Sequence, residues 1–400
     1  MFGDVMERNA GRLVREAPAQ TVLAVIPTLN EERHIEACIR SLMDGDERLK
    51  HVPLTVADGG STDQTVAIVE SLKGEFPNLR VLHNPKRLQS AALNLAANQH
   101  SSEETQFLIR CDAHSIYPKN FIIDVADALE TTHAASVVVP MDAVGETCFE
   151  RANAWVVDTP LGSGGSAHRG GRKSAYVDHG HHAGFDLAVF KMIGGYDETF
   201  SHNEDAEYDK RVVQAGGRIF LDADIRIQYV PRGSVKALAR QYFNYGKGRA
   251  RTARKHRHTL KMRQAIPILA LLASVFGLVV SPLFWPALIL PLGYVGVLGA
   301  ASIAVAVWKR STCGLFAGLA SGTMHMSWAA GFFDTGLAIA QAIFDGLVAK
   351  FQDILTWFGQ WPQMILDAIG TINVGDAIVG LGGGIAEGVG NATSGMAQGI

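Results

Sequence analysis

Residues 21–32 of the chain read TVLAVIPTLNEE, a β-branched apolar run that ends in a cluster of polar side chains. Stretches with helical periodicity separate this run from further apolar runs of the same kind. The further runs are Leu54–Asp58, Leu79–Asn84, Gln106–Asp112 and Ala135–Pro140. Strands that alternate with helices are typical of repeated βαβ units, so we predict an α/β fold built on a parallel sheet.

Helix start and stop signals accompany these strands. Ser61, with Gln64 three residues later, is a capping-box pattern and predicts a helix through the apolar positions that follow. Another helix is predicted from Gln89, and a third within NEDAEYDKRVVQAGGRIF is predicted to end at Gly216 and Gly217. In contrast, segment 145–184 is rich in Gly, Ser, His and Arg and has little periodicity, which predicts long loops.

Acidic residues are unevenly distributed along the 400-residue chain, whose formal net charge is −3. Acids and bases are mixed up to Asp224, and no Asp or Glu then occurs before Asp334. The four cysteines form no CxxC pair, so their spacing indicates neither a disulfide framework nor a zinc knuckle and favours a reducing compartment. Residues 1–20 lack the apolar core of a secretory signal, which predicts a cytoplasmic catalytic domain over residues 21–231.

The segment Ala265–Trp308 contains no charged residue and is long enough for two membrane-spanning helices of about 20 residues each. Pro282 and Pro286 lie where a tight reversal between two such helices is required. We therefore predict a membrane region at 264–333, in which 312–333 is a candidate third helix or an interfacial segment.

Basic residues flank this predicted hairpin on both sides. The juxtamembrane segment 232–263 is strongly basic, and Lys309 and Arg310 follow the second helix, so the positive-inside rule places both flanks in the cytoplasm. Directly before a membrane hairpin, such a segment indicates binding to anionic lipid head groups, and nucleic acid is a disfavoured alternative. Residues 334–400 form an amphipathic and Gly-rich tail to which we assign no chemistry.

Polar residues follow the predicted strands at the edge where open parallel sheets bind ligands. Asp58, followed by two glycines, is placed to accept a hydrogen bond from a nucleotide, although a turn that feeds the next helix is the alternative. Asp112 and His114 share one face of an extended segment and are candidate ligands for Mn²⁺ or Mg²⁺, which would stabilise a departing diphosphate. A surface turn is the alternative for this pair.

Glu204 and Asp205 begin a predicted helix, where a carboxylate could remove a proton from an acceptor hydroxyl. Capping of the helix by acidic side chains is the alternative, since the helix dipole favours acids in the first turn. Histidines are concentrated upstream, but their spacing disfavours structural zinc. We predict instead a loop that closes over donor and acceptor and includes His168, Arg169, His181 and His182.

Six segments occur in a specific order: VIPTLNEE, VADGGSTDQT, NPKRLQSAALNLA, LIRCDAH, GGYDETF and NEDAEYDKRVVQAGGRIF. Together they resemble the family 2 inverting glycosyltransferases of the GT-A fold. GSGGSAHRGG, DHGHHAGF and RQYFNYGKGR are most similar to the bacterial succinoglycan-type exopolysaccharide glycosyltransferases. The resemblance covers about residues 21–333. It implies a Rossmann-like nucleotide-sugar-binding domain followed by C-terminal transmembrane helices, at the bacterial inner (plasma) membrane.

The resemblance also implies roles for individual residues. Asp112 is implied as a ligand of the metal and the diphosphate, although His114 stands where the family usually has Asp. Asp205 is implied as the catalytic base, with Glu204 beside it. The residues expected to bind the nucleotide sugar are Pro27, Thr28, Asn30, Glu31, Asp58 and Arg87.

The stretch 240–249 departs from the QxxRW motif of many membrane members, which favours addition of a single sugar over processive polymerisation. Its Gln241 and Arg249 are candidate acceptor residues. The implied reaction transfers a sugar, with inversion, from a UDP-sugar to a polyprenyl-diphosphate-linked saccharide in exopolysaccharide or cell-surface glycan synthesis. The alternatives are a non-catalytic, membrane-anchored sugar-nucleotide-binding protein and a nucleotidyltransferase, which would need a phosphate-binding signature where this chain has PTLNEE.

Overall fold

An eight-stranded mixed sheet organises the computed structural model, which describes residues 17–164, 173–257 and 262–335. The order of its strands is β3-β2-β1-β4-β8-β5-β9-β7, and β6 and β10 form a separate parallel pair. The strands are β1 Val22–Thr28, β2 Leu54–Asp58, β3 Leu79–His83, β4 Phe107–Arg110, β5 Ser136–Val139, β6 Met141–Ala143, β7 Ala175–Val177, β8 His181–Asp186, β9 Ile219–Leu221 and β10 Ile227–Tyr229.

Twelve α-helices lie in the described ranges. The first eight are α1 Ile35–Leu42, α2 Thr65–Leu72, α3 Gln89–Gln99, α4 Phe121–Thr132, α5 Cys148–Val157, α6 Pro160–Ser163, α7 Leu187–Ile193 and α8 Glu204–Gln214. The remaining four are α9 Val235–His256, α10 Met262–Val280, α11 Ile289–Lys309 and α12, residues 317–335.

Alternating side chains of β1 enter two separate hydrophobic cores, one on each face of the sheet. Val22, Ala24 and Ile26 pack with α1, α2 and α4. Leu23 and Val25 pack with α3, α7 and α8 on the opposite face. The β1 strand is therefore covered on both faces, and a ligand can approach it at its carboxyl end.

The strands predicted from the four apolar runs after β1 occur within two residues of the expected limits. The five strands predicted from the sequence are parallel to one another, as expected, but the sheet is mixed because β8 lies between β4 and β5 and runs antiparallel to both. Four of the six β8 residues are buried. A strand that is covered on both faces has no period-2 alternation, so the sequence pattern could not reveal it.

The local predictions for two further segments are also corrected. Ser61 does not cap a helix: its hydroxyl donates to the Asp58 carboxylate, and α2 begins only at Thr65. The described part of segment 145–184 contains α5, α6, β7 and the first residues of β8, so the prediction of long loops is wrong there, and residues 165–172 lie outside the described residues. The α5 helix begins with a complete capping box formed by Thr147 and Glu150.

Two helices at the C-terminal side are long and apolar enough to cross a membrane, Arg263–Val280 and Trp285–Lys309. Only 6% of the residues in each apolar window are buried against the protein. A turn at 281–284 connects them, where the prolines predicted a reversal. The third candidate, α12, differs from both because it packs with α5 and α9 in a small core around Val156, Leu238 and Met324.

Cys148 and Cys313 form a disulfide with a Cα–Cα distance of 4.7 Å, so the expectation of no disulfide is wrong for this pair. The two cysteines are 165 residues apart, and they meet because the segment before α12 packs on α5. Sequence spacing could not show this. Cys38 and Cys111 are free and buried.

Candidate active site

The ends of β1, β2 and β4 lie at one edge of the sheet and frame a cavity of about 180 Å³. Six of the predicted site residues line this cavity: Pro27, Thr28, Glu31, Arg87, Asp112 and His114. Parallel strands bring these residues together, although they are distant in sequence. The cavity is the candidate donor site.

Asp58 and Asn30 lie beside the cavity, where their side chains hold the turn after β2. The Asp58 carboxylate accepts hydrogen bonds from the backbone N–H of Gly60 and of Ser61 and from the Ser61 hydroxyl. The Asn30 side chain accepts from the backbone N–H of Thr62 at 2.8 Å. These two predicted nucleotide ligands therefore also shape the DGGS turn.

Asp112 is a largely buried carboxylate with cationic neighbours. Its Oδ1 lies 3.0 Å from the Gln89 amide, which donates to it, and 3.4 Å from Arg110 Nε, and its Oδ2 lies 3.5 Å from His181 Nε2. Burial would raise the pKa of Asp112, but Arg110, His181 and His114 hold that pKa at about 2. Asp112 is therefore negatively charged throughout the physiological pH range.

His114 lies in a turn and not in the extended segment expected from the sequence. Its Nδ1 is 3.4 Å from the Glu31 carboxylate, and this contact raises the pKa of His114. Among the described residues, no group of three or more His, Cys, Asp and Glu side chains is arranged to hold a metal ion. Asp112 and His114 do line the same cavity, so they fit a cation whose other ligands are diphosphate oxygens.

Arg110 connects Asp112 to the start of α8. Its side chain is 6% exposed, and Nη1 lies 3.8 Å from the Glu204 carboxylate. Arg110 is not among the predicted site residues, although a charged side chain at the end of the apolar run LIR was a visible signal. A buried arginine between two carboxylates is the kind of pairing that makes a buried charge tolerable.

The neighbouring carboxylates Glu204 and Asp205 differ in their surroundings. Burial and the charge of Asp205 raise the pKa of Glu204. Burial would also raise the pKa of Asp205, but His179, His182 and Arg110 lower it below its usual value. Asp205, which is only partly buried, is therefore the carboxylate that is available unprotonated.

The sequence placed His181 and His182 in a loop over the site, and this prediction is wrong. His181 and His182 lie on β8, inside the sheet, because this strand pairs with both β4 and β5. His181 faces Asp112, whereas His182 is buried and bonds to Asp209 of α8. The predicted loop residues His168 and Arg169 lie outside the described residues.

Helix α9 covers α8 and carries the two predicted acceptor residues. Gln241 donates to the Tyr245 hydroxyl at 3.0 Å. The Arg249 guanidinium interacts electrostatically with Asp205 and Asp209, and the hydrogen bonds found in the described ranges include none from it. Burial lowers the pKa of Arg249. A cation in these surroundings is available to an anionic group beside Asp205.

Comparisons with known proteins found a matching family model and similar proteins. A model described as "Glycosyl transferase family 2" matches residues 23–194. The chain is 41% identical over 322 residues to the succinoglycan biosynthesis protein ExoA of Rhizobium meliloti, which covers 80% of this chain and 96% of that protein.

Two more distant similarities follow. Over 239 residues the chain is 25% identical to a dolichyl N-acetyl-α-D-glucosaminyl phosphate 3-β-D-2,3-diacetamido-2,3-dideoxy-β-D-glucuronosyltransferase of Methanococcus voltae, covering 58% of this chain and 73% of the relative. The mannosyltransferase PcManGT from Pyrobaculum calidifontis, solved with GDP-Man and Mn²⁺, has a TM-score of 0.50 and 17% identity, covering 84% of this chain and 93% of that one. This likeness confirms the predicted GT-A fold.

Proposed function

This chain belongs to glycosyl transferase family 2, and we propose that it moves a single sugar, with inversion, from a UDP-sugar to a lipid-linked saccharide in exopolysaccharide or cell-surface glycan synthesis. The observation that carries the proposal is the contact chain from Asp112 through Arg110 to Glu204, which brings the donor cavity next to Asp205. The similarity to ExoA supports the exopolysaccharide context. Neither the non-catalytic sugar-nucleotide-binding protein nor the nucleotidyltransferase has such support.

On the donor side, the nucleotide sugar occupies the cavity at the ends of β1 and β4. Thr28, Glu31 and Arg87 are the proposed nucleotide contacts, and the DGGS turn supports them from β2. The diphosphate lies toward Asp112 and His114. A Mn²⁺ or Mg²⁺ ion held there would neutralise charge that develops on the departing diphosphate.

On the acceptor side, Asp205 takes the proton from the attacking hydroxyl, since its lowered pKa keeps it ionised. Arg249 interacts electrostatically with Asp205 and is the proposed contact for a phosphate of the acceptor.

Two features favour a lipid-linked acceptor. The apolar helices α10 and α11 would anchor the catalytic domain at the inner membrane, with the basic α9 toward the cytoplasmic surface. The M. voltae relative is named for a dolichyl-linked sugar phosphate. The proposed acceptor is therefore a polyprenyl-diphosphate-linked saccharide.

A donor screen tests the proposal. The full chain in detergent micelles is incubated with a panel of UDP-sugars and GDP-mannose, with and without Mn²⁺, and with a bacterial membrane lipid extract as acceptor. Transfer from one UDP-sugar to a chloroform-soluble product, detected by mass spectrometry, is expected. Equal transfer to a water-soluble oligosaccharide without lipid would contradict the acceptor class, and transfer from GDP-mannose alone would contradict the donor class.

The base is tested with Asp205→Asn, which should bind UDP as wild type does but lose about 10²- to 10⁴-fold in kcat. Asp142→Asn is a suitable control, because Asp142 pairs with Arg226 away from the cavity. UDP affinity is measured by calorimetry and turnover by product formation. Normal turnover of Asp205→Asn would remove Asp205 from this role.

A further inference from the structure

Four buried side chains form one continuous hydrogen-bonded series behind the active site. Arg110 Nη1 donates to the Tyr196 hydroxyl at 3.1 Å, and this hydroxyl lies 2.6 Å from His182 Nδ1. His182 Nε2 lies 2.7 Å from Asp209 Oδ1. We call Arg110–Tyr196–His182–Asp209 the buried relay. The exposed fraction of each of its four residues is 6% or less.

Both ends of the buried relay have a fixed hydrogen-bonding role. A guanidinium can only donate, so the Tyr196 oxygen accepts from Arg110. An ionised carboxylate can only accept, so His182 Nε2–H donates to Asp209. The Tyr196 hydroxyl and His182 Nδ1 form the central hydrogen bond, so each contact in the series pairs a donor with an acceptor.

The two ends of the buried relay contact different parts of the active site. At one end, Arg110 lies between Asp112 and Glu204. At the other end, Asp209 lies four residues after Asp205, one turn further along α8. His179 also bonds to Asp209, at 2.7 Å. Arg110 therefore reaches the first turn of α8 directly and the second turn through the relay.

We propose that Arg110 is a positioning residue, which uses the buried relay to hold α8 at a fixed distance from Asp112. The base, Asp205, lies on α8, and the diphosphate-side carboxylate, Asp112, lies just after β4, so no short stretch of chain fixes the distance between them. In-line displacement requires both to stay aligned, and a misplacement of about 1 Å can cost about 10²-fold in rate. The hydrogen bonds of the buried relay resist such movement better than apolar contacts do, because hydrogen bonds are directional. The inference rests on the proposed role of Asp205.

The chain offers a matched pair of substitutions to test the relay. Tyr196 and Tyr208 are both buried in the same aromatic cluster, with ring centroids 5.3 Å apart. Within the described part of the chain the Tyr208 hydroxyl has no hydrogen-bond partner, so Tyr208→Phe removes an oxygen without breaking a described bond. Tyr196→Phe removes the central oxygen of the relay but retains its ring.

We expect Tyr196→Phe to lose about 10- to 100-fold in kcat while KM for the UDP-sugar that wild type transfers stays within about threefold. Tyr208→Phe should have wild-type values. Thermal unfolding and UDP calorimetry on the full chain establish that both variants are folded. If Tyr196→Phe has the same kcat as Tyr208→Phe, the proposal is overturned.

A double-mutant cycle with Arg110→Lys separates positioning from independent effects. If Arg110 acts through the relay, the double variant loses no more kcat than the worse single variant. If the losses in kcat of the two single variants multiply in the double variant, the proposal is overturned. Asp205→Asn is assayed in parallel: if it turns over normally, the role of Asp205 in the proposed function has failed, whereas an inactive Asp205→Asn with fully active Tyr196→Phe refutes the relay alone.

Discussion

Glu204 and Asp205 are adjacent in the first turn of α8, yet their environments give them different proton affinities. Glu204 is buried next to the charge of Asp205, which raises its pKa. Asp205 has its pKa lowered by cations that outweigh burial. The charged and titratable groups around Asp205 come from β4, the segment around β8, α8 and α9, and are Arg110, His179, His182, Glu204, Asp209 and Arg249.

The pH profile of kcat/KM should therefore distinguish these two candidates for the base. A base must be unprotonated, and an aspartate with a pKa below about 4 stays unprotonated as the pH falls to that value. We expect no acidic limb from the base between pH 8 and about pH 5. The measurement is initial rates across this range with UDP calorimetry as a control for donor binding. An acidic limb above about pH 5 would assign the base to Glu204, whose pKa is raised.

Motifs in the sequence identified the residues that face the cavity, but not those that support them. Asp112 follows a strand and Asp205 lies in the first turn of a helix, and the sequence predicts both positions. The relay residues Tyr196 and His182 are 14 apart and meet only because β8 inserts between β4 and β5. A strand order that depends on long-range pairing cannot be derived from local patterns.

At the scale of elements, α9 is attached to α8 by a buried ion cluster. The Glu207 side chain is fully buried and lies 2.8 Å from Arg211, 2.7 Å from Lys255 and 3.0 Å from His256. Burial would raise the pKa of Glu207, but Arg211 and Lys255 lower it. The sequence predicted only a basic segment here. The structure makes it a 22-residue helix whose cations neutralise an acid of α8.

Removal of this acid should uncouple the two helices in a pH-dependent way. Glu207→Gln is expected to cost about 1–3 kcal/mol at pH 7, since it removes the buried charge that Arg211, Lys255 and His256 share. The stabilisation from a lowered carboxylate pKa is present above the unfolded pKa of about 4.3 and is lost as the pH falls through the folded pKa. The difference in melting temperature between wild type and Glu207→Gln should thus shrink below about pH 4.

Glu70→Gln is the control for this prediction, because Glu70 forms an exposed pair with Lys73 on α2. Exposed pairs contribute about 0–1 kcal/mol, so its melting temperature should change little. If Glu207→Gln and Glu70→Gln lower the melting temperature by the same amount at pH 7, the ion cluster around Glu207 does not stabilise the packing of α9 on α8.

At the scale of the whole molecule, α12 joins the catalytic domain to the predicted membrane hairpin. Glycines at the crossing of α9 and α12 allow backbone contact: a Cβ on Gly331 would lie 1.9 Å from the Phe243 carbonyl oxygen, and one on Gly246 would lie 2.0 Å from that of Trp328. Two residues further along α9, a Cβ on Gly248 would lie 2.7 Å from the Asn203 Cβ. Asn203 is the N-cap of α8, directly before Glu204. Close backbone contacts therefore connect α12 to α9, and α9 to the residue directly before Glu204.

Gly331→Ala in the full chain tests this connection, because its methyl group must displace α9 from α12. Overpacking of this kind costs about 1–3 kcal/mol, and a shift of α9 should move α8 and lower kcat by about 10-fold or more, although α12 contributes no residue to the cavity. Gly296→Ala on α11 is the control, since a Cβ there meets nothing within 4 Å. Both variants are assayed in micelles with UDP binding and thermal unfolding measured alongside. A folded Gly331→Ala with the same kcat as Gly296→Ala would show that the base is positioned independently of α12.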